Sequence, residues 1–90
     1  MPQFLVELYV ARSASESVAP TVARARAAAE AVTVEGRPVR CVTSIFVPED
    51  ETCFLLVEAE TADAVQATGR RAGLTFDRVV RVLPEQTVKH

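Results

Sequence analysis

The chain has few of the residues that build most catalytic and metal sites. Its 90 residues include one histidine, two cysteines, three glycines and no tryptophan. The single histidine is His90, at the last position, so a histidine-based catalytic triad is excluded. The sequence contains neither a glycine-rich phosphate loop nor a closely spaced cysteine pair. P-loop nucleotide binding and a paired-cysteine zinc site are therefore excluded as well.

Long apolar runs and an excess of positive charge are also missing. No stretch is long enough to cross a bilayer, and the N-terminus enters an alternating pattern without a basic leader region. The formal net charge is -2, so the chain lacks the basic surface that phosphate groups require. We expect a soluble, cytoplasmic protein that binds neither nucleic acid nor a membrane. In that compartment Cys41 and Cys53 are expected to stay reduced.

The sequence has enough aliphatic residues for one small core. Apolar residues make up 49% of the chain and aromatic residues 6%, so Val, Leu and Ala must form most of the interior. A chain of this length is near the lower limit for a single unstapled core. We predict one domain over residues 1–84, followed by a polar tail over residues 85–90.

Alternating and helical patterns predict six elements. The strand patterns cover Phe4–Ala11, Val39–Val47, Thr52–Ala59 and Arg78–Leu83. One helix is predicted to begin near Ser17, with Pro20 in its first turn, and a second to run from an N-cap at Thr61 to a stop at Gly73. The order βαββαβ is that of a split βαβ unit and predicts an α+β fold, in which two helices cover one face of a four-stranded antiparallel sheet.

The predicted strands carry apolar residues on both faces. A sheet covered on one side should alternate apolar and polar residues. With one set facing the helices (Val6, Leu8, Leu55, Val57, Val80 and Val82), the other face still carries Leu5, Tyr9, Val42, Phe46, Phe54, Leu56 and Val79. Such a patch is typical of a subunit interface, and we therefore expect a homodimer.

Polar residues inside the strands form the predicted ligand-binding site on that second face. The candidates are Glu7, Tyr9, Arg40, Ser44, Glu58 and Arg81. They are interpreted either as cross-strand ion pairs at a dimer interface or as the polar end of a pocket between two sheets. The prediction depends on the hairpin register, because a slip of one residue moves a side chain to the other face.

The sequence is compatible with three classes of function at this site. An apolar interior could raise the pKa of Glu7 or Glu58 and make either one a general acid or base. A small dimeric ligand- or metal-binding protein is the first hypothesis. A cofactor-independent enzyme that acts on a small molecule in the pocket is the second, and a purely structural interaction module is the third.

Several segments resemble a known family. They are FLVE at the start, SIFVPEDETCF over residues 44–54, the pair Glu58-Ala59 and GRRAGLTFDRVV over residues 69–80. Together they resemble a domain-of-unknown-function family that includes small nickel-binding proteins. The resemblance implies a ferredoxin-like fold, a dimeric α+β barrel and nickel as the cofactor to consider. Similar members often carry histidine in the third strand or second helix, where this chain has Leu55 and Thr68.

The chain offers nickel few suitable donors. Nickel prefers nitrogen and thiolate ligands, and His90 is expected to be a solvated end. Cys41 and Cys53 could donate thiolates, but free cysteines are usually buried and act as small apolar residues. The hairpin should place Cys53 opposite Ile45 or Phe46, too far from Cys41 for a disulfide. The acidic turn 49–51 is interpreted as a solvated turn rather than a cation site. No metal ligand set is predicted.

Overall fold

The computed structural model describes residues 1–83 and contains the predicted elements in the predicted order. The strands are β1 Gln3–Tyr9, β2 Val39–Val47, β3 Thr52–Ala59 and β4 Arg78–Val82; the helices are α1 Val18–Val34 and α2 Ala62–Ala72. The antiparallel sheet has the order β2-β3-β1-β4, which confirms the α+β, ferredoxin-like fold. The predicted boundary at residue 84 and the tail 85–90 lie outside the described residues.

Helix α1 begins one residue after the predicted start. A 3-10 segment, Arg12–Ser17, leads into it, and the Ser17 hydroxyl donates a hydrogen bond to the Ala14 carbonyl oxygen over 2.7 Å. Pro20 falls in the first turn, where its missing N–H has no helical partner to lose. The buried side of the helix consists of Val22, Ala25, Ala28, Ala29 and Val32. These small side chains let the helix axis approach the sheet closely.

Helix α2 has both of the predicted end signals. The Ala64 N–H donates to Thr61 Oγ1 over 3.2 Å, and Gly73 ends the helix at φ 70°. A positive φ of this size suits glycine because it has no Cβ. Arg24 on α1 donates from Nη2 to the Ala72 carbonyl oxygen over 2.7 Å, which fastens the end of α2 to the neighbouring helix.

Gly69 lies inside α2 because a ring packs against it. A Cβ atom at this position would lie 2.8 Å from Cδ2 of Phe76, which is closer than van der Waals contact permits. Phe76 itself packs against the hydrophobic core. Glycine lowers the helix propensity at this position, but it permits close contact between α2 and the chain that leads into β4.

The core lies between the two helices and one face of the sheet. Buried and half-buried residues alternate along β1 and β3, so every second side chain of these central strands points at the helices. The largest fully buried side chains of the core are those of Leu55, Val6, Val57, Val65 and Cys53. None of the helices within residues 1–83 is both long and apolar enough to cross a membrane.

A β-bulge interrupts the β2–β3 hairpin at Val42. Cys41 lies opposite Val57 and Thr43 lies opposite Leu56, so Val42 has no counterpart on β3. The extra residue reverses the facing of the rest of β2, because side chains alternate with a period of two. Odd-numbered residues of β2 therefore face the helices before Val42, and even-numbered residues face them after it.

Candidate functional site

One face of the sheet carries no helix within residues 1–83, and we call it the open face. Residues directly opposite each other on antiparallel strands share a face, so the register defines its members. These are Arg40, Thr43, Ile45 and Val47 of β2; Thr52, Phe54, Leu56 and Glu58 of β3; Gln3, Leu5, Glu7 and Tyr9 of β1; and Arg78, Val80 and Val82 of β4.

The middle of the open face is apolar. Leu5 lies between Leu56 on β3 and Val80 on β4, and all three side chains are half-buried in the single chain. Ile45 and Tyr9 stand at two sides of this patch and are 60% and 63% exposed. The patch is thus an apolar surface without a partner among the described residues, as the sequence predicts.

A charged cluster crosses three strands at one end of the open face. Glu58 accepts two hydrogen bonds from Arg40, 3.0 Å from Nε and 2.8 Å from Nη2, and a third from Gln3 Nε2 at 3.2 Å. The Arg40 hydrogen bonds, with a smaller contribution from Gln3, lower the pKa of the Glu58 carboxyl from its ordinary value. Glu58 is therefore a fixed carboxylate at neutral pH, which does not suit it as a general acid.

A second, looser ion pair lies on the β4 side. Arg78 Nη1 is 3.5 Å from Glu7 Oε2, and the side chains are 65% and 28% exposed. The two residues face each other directly in the β1–β4 register. This distance is at the long limit of a hydrogen bond, so several Arg78 donors stay available to another acceptor.

Four of the six predicted site residues share the open face. Glu7, Tyr9, Arg40 and Glu58 lie there, in two ion pairs and one exposed phenol. Their role in binding a ligand stays a prediction. The proposed clustering of charges across neighbouring strands nevertheless has a structural basis in these hydrogen bonds.

Ser44 does not lie with this group. It is opposite Leu55, which is fully buried on the helix side of β3, so Ser44 faces the helices. The expectation that it shares the open face is wrong because of the bulge at Val42. For the same reason Phe46 lies opposite Cys53 and packs against the core, whereas Ile45 takes its place on the open face.

Arg81 also lies on the other face, and Arg78 takes the position expected for it. Arg81 is opposite Phe4, a core residue of β1, and is exposed at the edge of the sheet. The prediction assigned the β4 residues to the wrong faces. Val79 packs against the core, whereas Val80 and Val82 lie on the open face.

Asp77 fixes this register of β4. Its N–H donates to the Glu7 carbonyl oxygen over 2.8 Å, and its Oδ2 accepts from the Tyr9 N–H over 2.9 Å. Both bonds hold the start of β4 against β1. The sequence RVVRV has apolar residues at both alternations, so no periodic signal could have distinguished Arg78 from Arg81.

The two thiols lie on the helix side and are both free. Cys53 is opposite Phe46, one of its two predicted partners, and Cys41 is opposite Val57. Burial raises the pKa of the Cys53 thiol; burial also raises that of Cys41, against an opposing effect of the nearby Arg26 guanidinium. Both thiols are therefore protonated at neutral pH and poorly suited to metal binding.

Comparison with known proteins identifies a family. The sequence model of the family described as nickel responsive protein SCO4226-like matches residues 9–82. Three of the four segments that suggested a family resemblance lie within this range, and the match confirms that resemblance. No curated protein and no solved structure matches the chain.

Proposed function

This chain belongs to the nickel responsive protein SCO4226-like family, and we propose that it acts as a homodimer whose two open faces enclose a site for a small organic molecule. One observation carries the proposal: a sheet face with an apolar centre and an Arg–Glu pair on either side of it.

The apolar centre and the balanced charge of the open face suit a second copy. Leu5, Leu56 and Val80 adjoin one another there and are only half-buried in the single chain. Exposed apolar patches on a single chain often mark an interaction surface. The Arg40–Glu58 and Arg78–Glu7 pairs cancel in charge, so two such faces meet without net repulsion. A self-complementary face of this kind fits a two-fold dimer.

The ligand that fits best is a small apolar molecule with one carboxylate. Leu5, Phe54 and Val80 provide an apolar floor beside Arg78, whose guanidinium is only loosely engaged by Glu7. A ligand carboxylate can accept charge-assisted hydrogen bonds from the remaining N–H groups of Arg78. Tyr9 adds an exposed phenol at the end of β1 that can donate or accept.

Sedimentation equilibrium tests the dimer. The wild type should sediment as a dimer, and Leu56→Asp should sediment as a folded monomer because a carboxylate then lies in the apolar centre. Val34→Asp is the matched control, since Val34 is 87% exposed on α1, away from this face. Ile45→Asp gives a second reading if Leu56→Asp does not fold. If Leu56→Asp and Ile45→Asp both stay dimeric, the interface lies elsewhere.

Thermal shift with benzoate tests the ligand site. Benzoate combines an apolar ring with a carboxylate, and benzamide is its uncharged analogue. A saturable rise in melting temperature with benzoate, and little or none with benzamide, is the expected result. Equal shifts with both compounds, or no shift with either, would contradict the carboxylate site.

A further inference from the structure

Nickel needs donors that the folded domain does not bring together. It prefers imidazole nitrogen and thiolate sulfur, and several such ligands must surround one ion. The chain has one imidazole, at His90, which lies outside the described residues, and two thiols, Cys41 and Cys53. Within residues 1–83 no group of three or more His, Cys, Asp or Glu side chains is placed to hold a metal ion.

The two thiols cannot share an ion. Cys41 lies opposite Val57 and Cys53 is four residues from Val57 along β3, which corresponds to roughly 13 Å. Two sulfur ligands of one metal must approach within a few ångströms of each other. The thiols are also buried at 6% and 0% exposure, so an ion would have to enter the core to reach either one.

Most carboxylates on the open face and beside it already accept hydrogen bonds. Glu58 accepts from Arg40 and Gln3, and Glu7 is paired with Arg78. A shallow acidic cleft beside Tyr9 is lined by three further carboxylates, those of Asp50, Glu51 and Asp77, and two of them have backbone partners. There Glu51 accepts from the Arg12 N–H and Asp77 accepts from the Tyr9 N–H, both over 2.9 Å. An ion at either place would have to compete with these bonds.

The two positions where the family resemblance placed histidine are filled by core side chains. Leu55 and Thr68 are 0% and 1% exposed. Leu55 has no donor atom, and the Thr68 hydroxyl donates to the Ala64 carbonyl oxygen over 2.9 Å within α2. The residues that this chain places there stabilise the core by packing and leave no polar atom for a metal.

We infer that the folded domain over residues 1–83 holds no resident nickel ion. Nickel binding by this domain would then not account for the nickel response in the family name. The open face is left to an organic ligand, because neither ion pair there has the imidazole nitrogen or thiolate sulfur that nickel prefers.

Nickel titration of the untagged full chain tests the inference, with melting temperature and isothermal calorimetry as the two readings. A resident ion would stabilise the folded state by mass action and raise the melting temperature by several degrees. We expect no such rise with Ni²⁺, and the same curve with Mg²⁺ as the control. Calorimetry should give weak binding at most, both in wild type and in His90→Ala, which removes the one imidazole, outside the described residues.

Three results would overturn the inference. The first is saturable Ni²⁺ binding that persists in His90→Ala and raises the melting temperature. The second is a nickel–thiolate charge-transfer absorption band that disappears in Cys41→Ser or Cys53→Ser. The third is one ion bound per two chains, which would indicate a site shared across a dimer. The benzoate titration and sedimentation are independent readings, so failure of the proposed ligand site would be recognised separately.

Discussion

Arg26 on α1 donates a hydrogen bond from Nη1 to the carbonyl oxygen of Cys41 on β2, over 2.9 Å. Cys41 is the residue immediately before the bulge at Val42, and β2 is an edge strand. The guanidinium therefore satisfies a backbone acceptor that would otherwise face water at the sheet edge. A bulge together with a charged side chain protects such an edge against pairing with another chain.

Replacing Arg26 should test this relationship. Arg26→Ala is expected to lower the free energy of unfolding by about 1 kcal/mol, the usual net contribution of one hydrogen bond. Arg37→Ala is the matched control, because the Arg37 side chain makes no hydrogen bond within residues 1–83. Urea denaturation measures both variants, and an equal loss in the two would show that the Cys41 contact contributes nothing specific.

Neighbouring residues after the bulge should respond in opposite ways. Phe46→Ser is expected to cost about 2 kcal/mol or more of folding stability, because the ring packs against the core. Ile45→Ser should leave the fold intact and weaken the dimer, since Ile45 is 60% exposed on the open face. Urea unfolding at several protein concentrations separates the effects. Reversed results would mean that β2 has the register without the bulge.

The two arginines of β4 provide the sharpest control for the ligand site. Arg78→Met should abolish the benzoate-dependent rise in melting temperature, because it removes the loosely paired guanidinium beside the apolar floor. Arg81→Met should keep that rise and change stability by less than about 0.5 kcal/mol, since Arg81 is exposed on the other face and makes no ion pair within the described chain. Loss of the benzoate response in both variants would point to a site elsewhere.

The Glu58 carboxylate should make stability depend on pH. Its pKa in the folded chain is lowered below the ordinary value, so its stabilising contribution is fully present above the unfolded pKa. The contribution is lost as pH falls through the lower, folded pKa. Glu58→Gln should therefore be less stable than wild type at pH 7, and the difference should shrink below about pH 4.

Thermal melts of wild type and Glu58→Gln from neutral to acidic pH measure this effect. Glu60→Gln is the control, because Glu60 is exposed beyond β3 and its side chain makes no hydrogen bond in residues 1–83. A difference for Glu58→Gln that stays constant with pH, or that grows in acid, would contradict the predicted role of the Arg40 contact.

A methyl group at position 69 should be unfavourable, although the residue lies inside a helix. Gly→Ala in an exposed helix interior usually stabilises by about 1 kcal/mol. Here the added Cβ would lie 2.8 Å from the Phe76 ring, so Gly69→Ala should destabilise the fold. In a Phe76→Leu background the same change should cost less, because the smaller side chain leaves room. Equal costs in both backgrounds would exclude the ring as the cause.

Local sequence signals were enough to predict the elements and the ends of α2, β2 and β3, whereas β1 was predicted as Phe4–Ala11 and is found at Gln3–Tyr9. Thr61 and Gly73 mark the ends of α2 by side-chain capping and by a positive φ, both of which act within a few residues. The strand β2 and the strand β3 were predicted with the observed bounds because β-branched and aromatic residues flank an acidic turn. The second apolar face was likewise visible in the alternation of β1 and β3.

The composition of the open face was decided by tertiary structure. The bulge at Val42 changes the register within the β2–β3 hairpin, and the two hydrogen bonds of Asp77 fix the register of β4 against β1, which is distant in sequence. Because side chains alternate with a period of two, a shift of one residue exchanges the two faces of a strand. Apolar residues occupy both alternations of β4, so its sequence is compatible with either face. Contacts with β1 place Arg78 beside Glu7 and leave Arg81 on the opposite side.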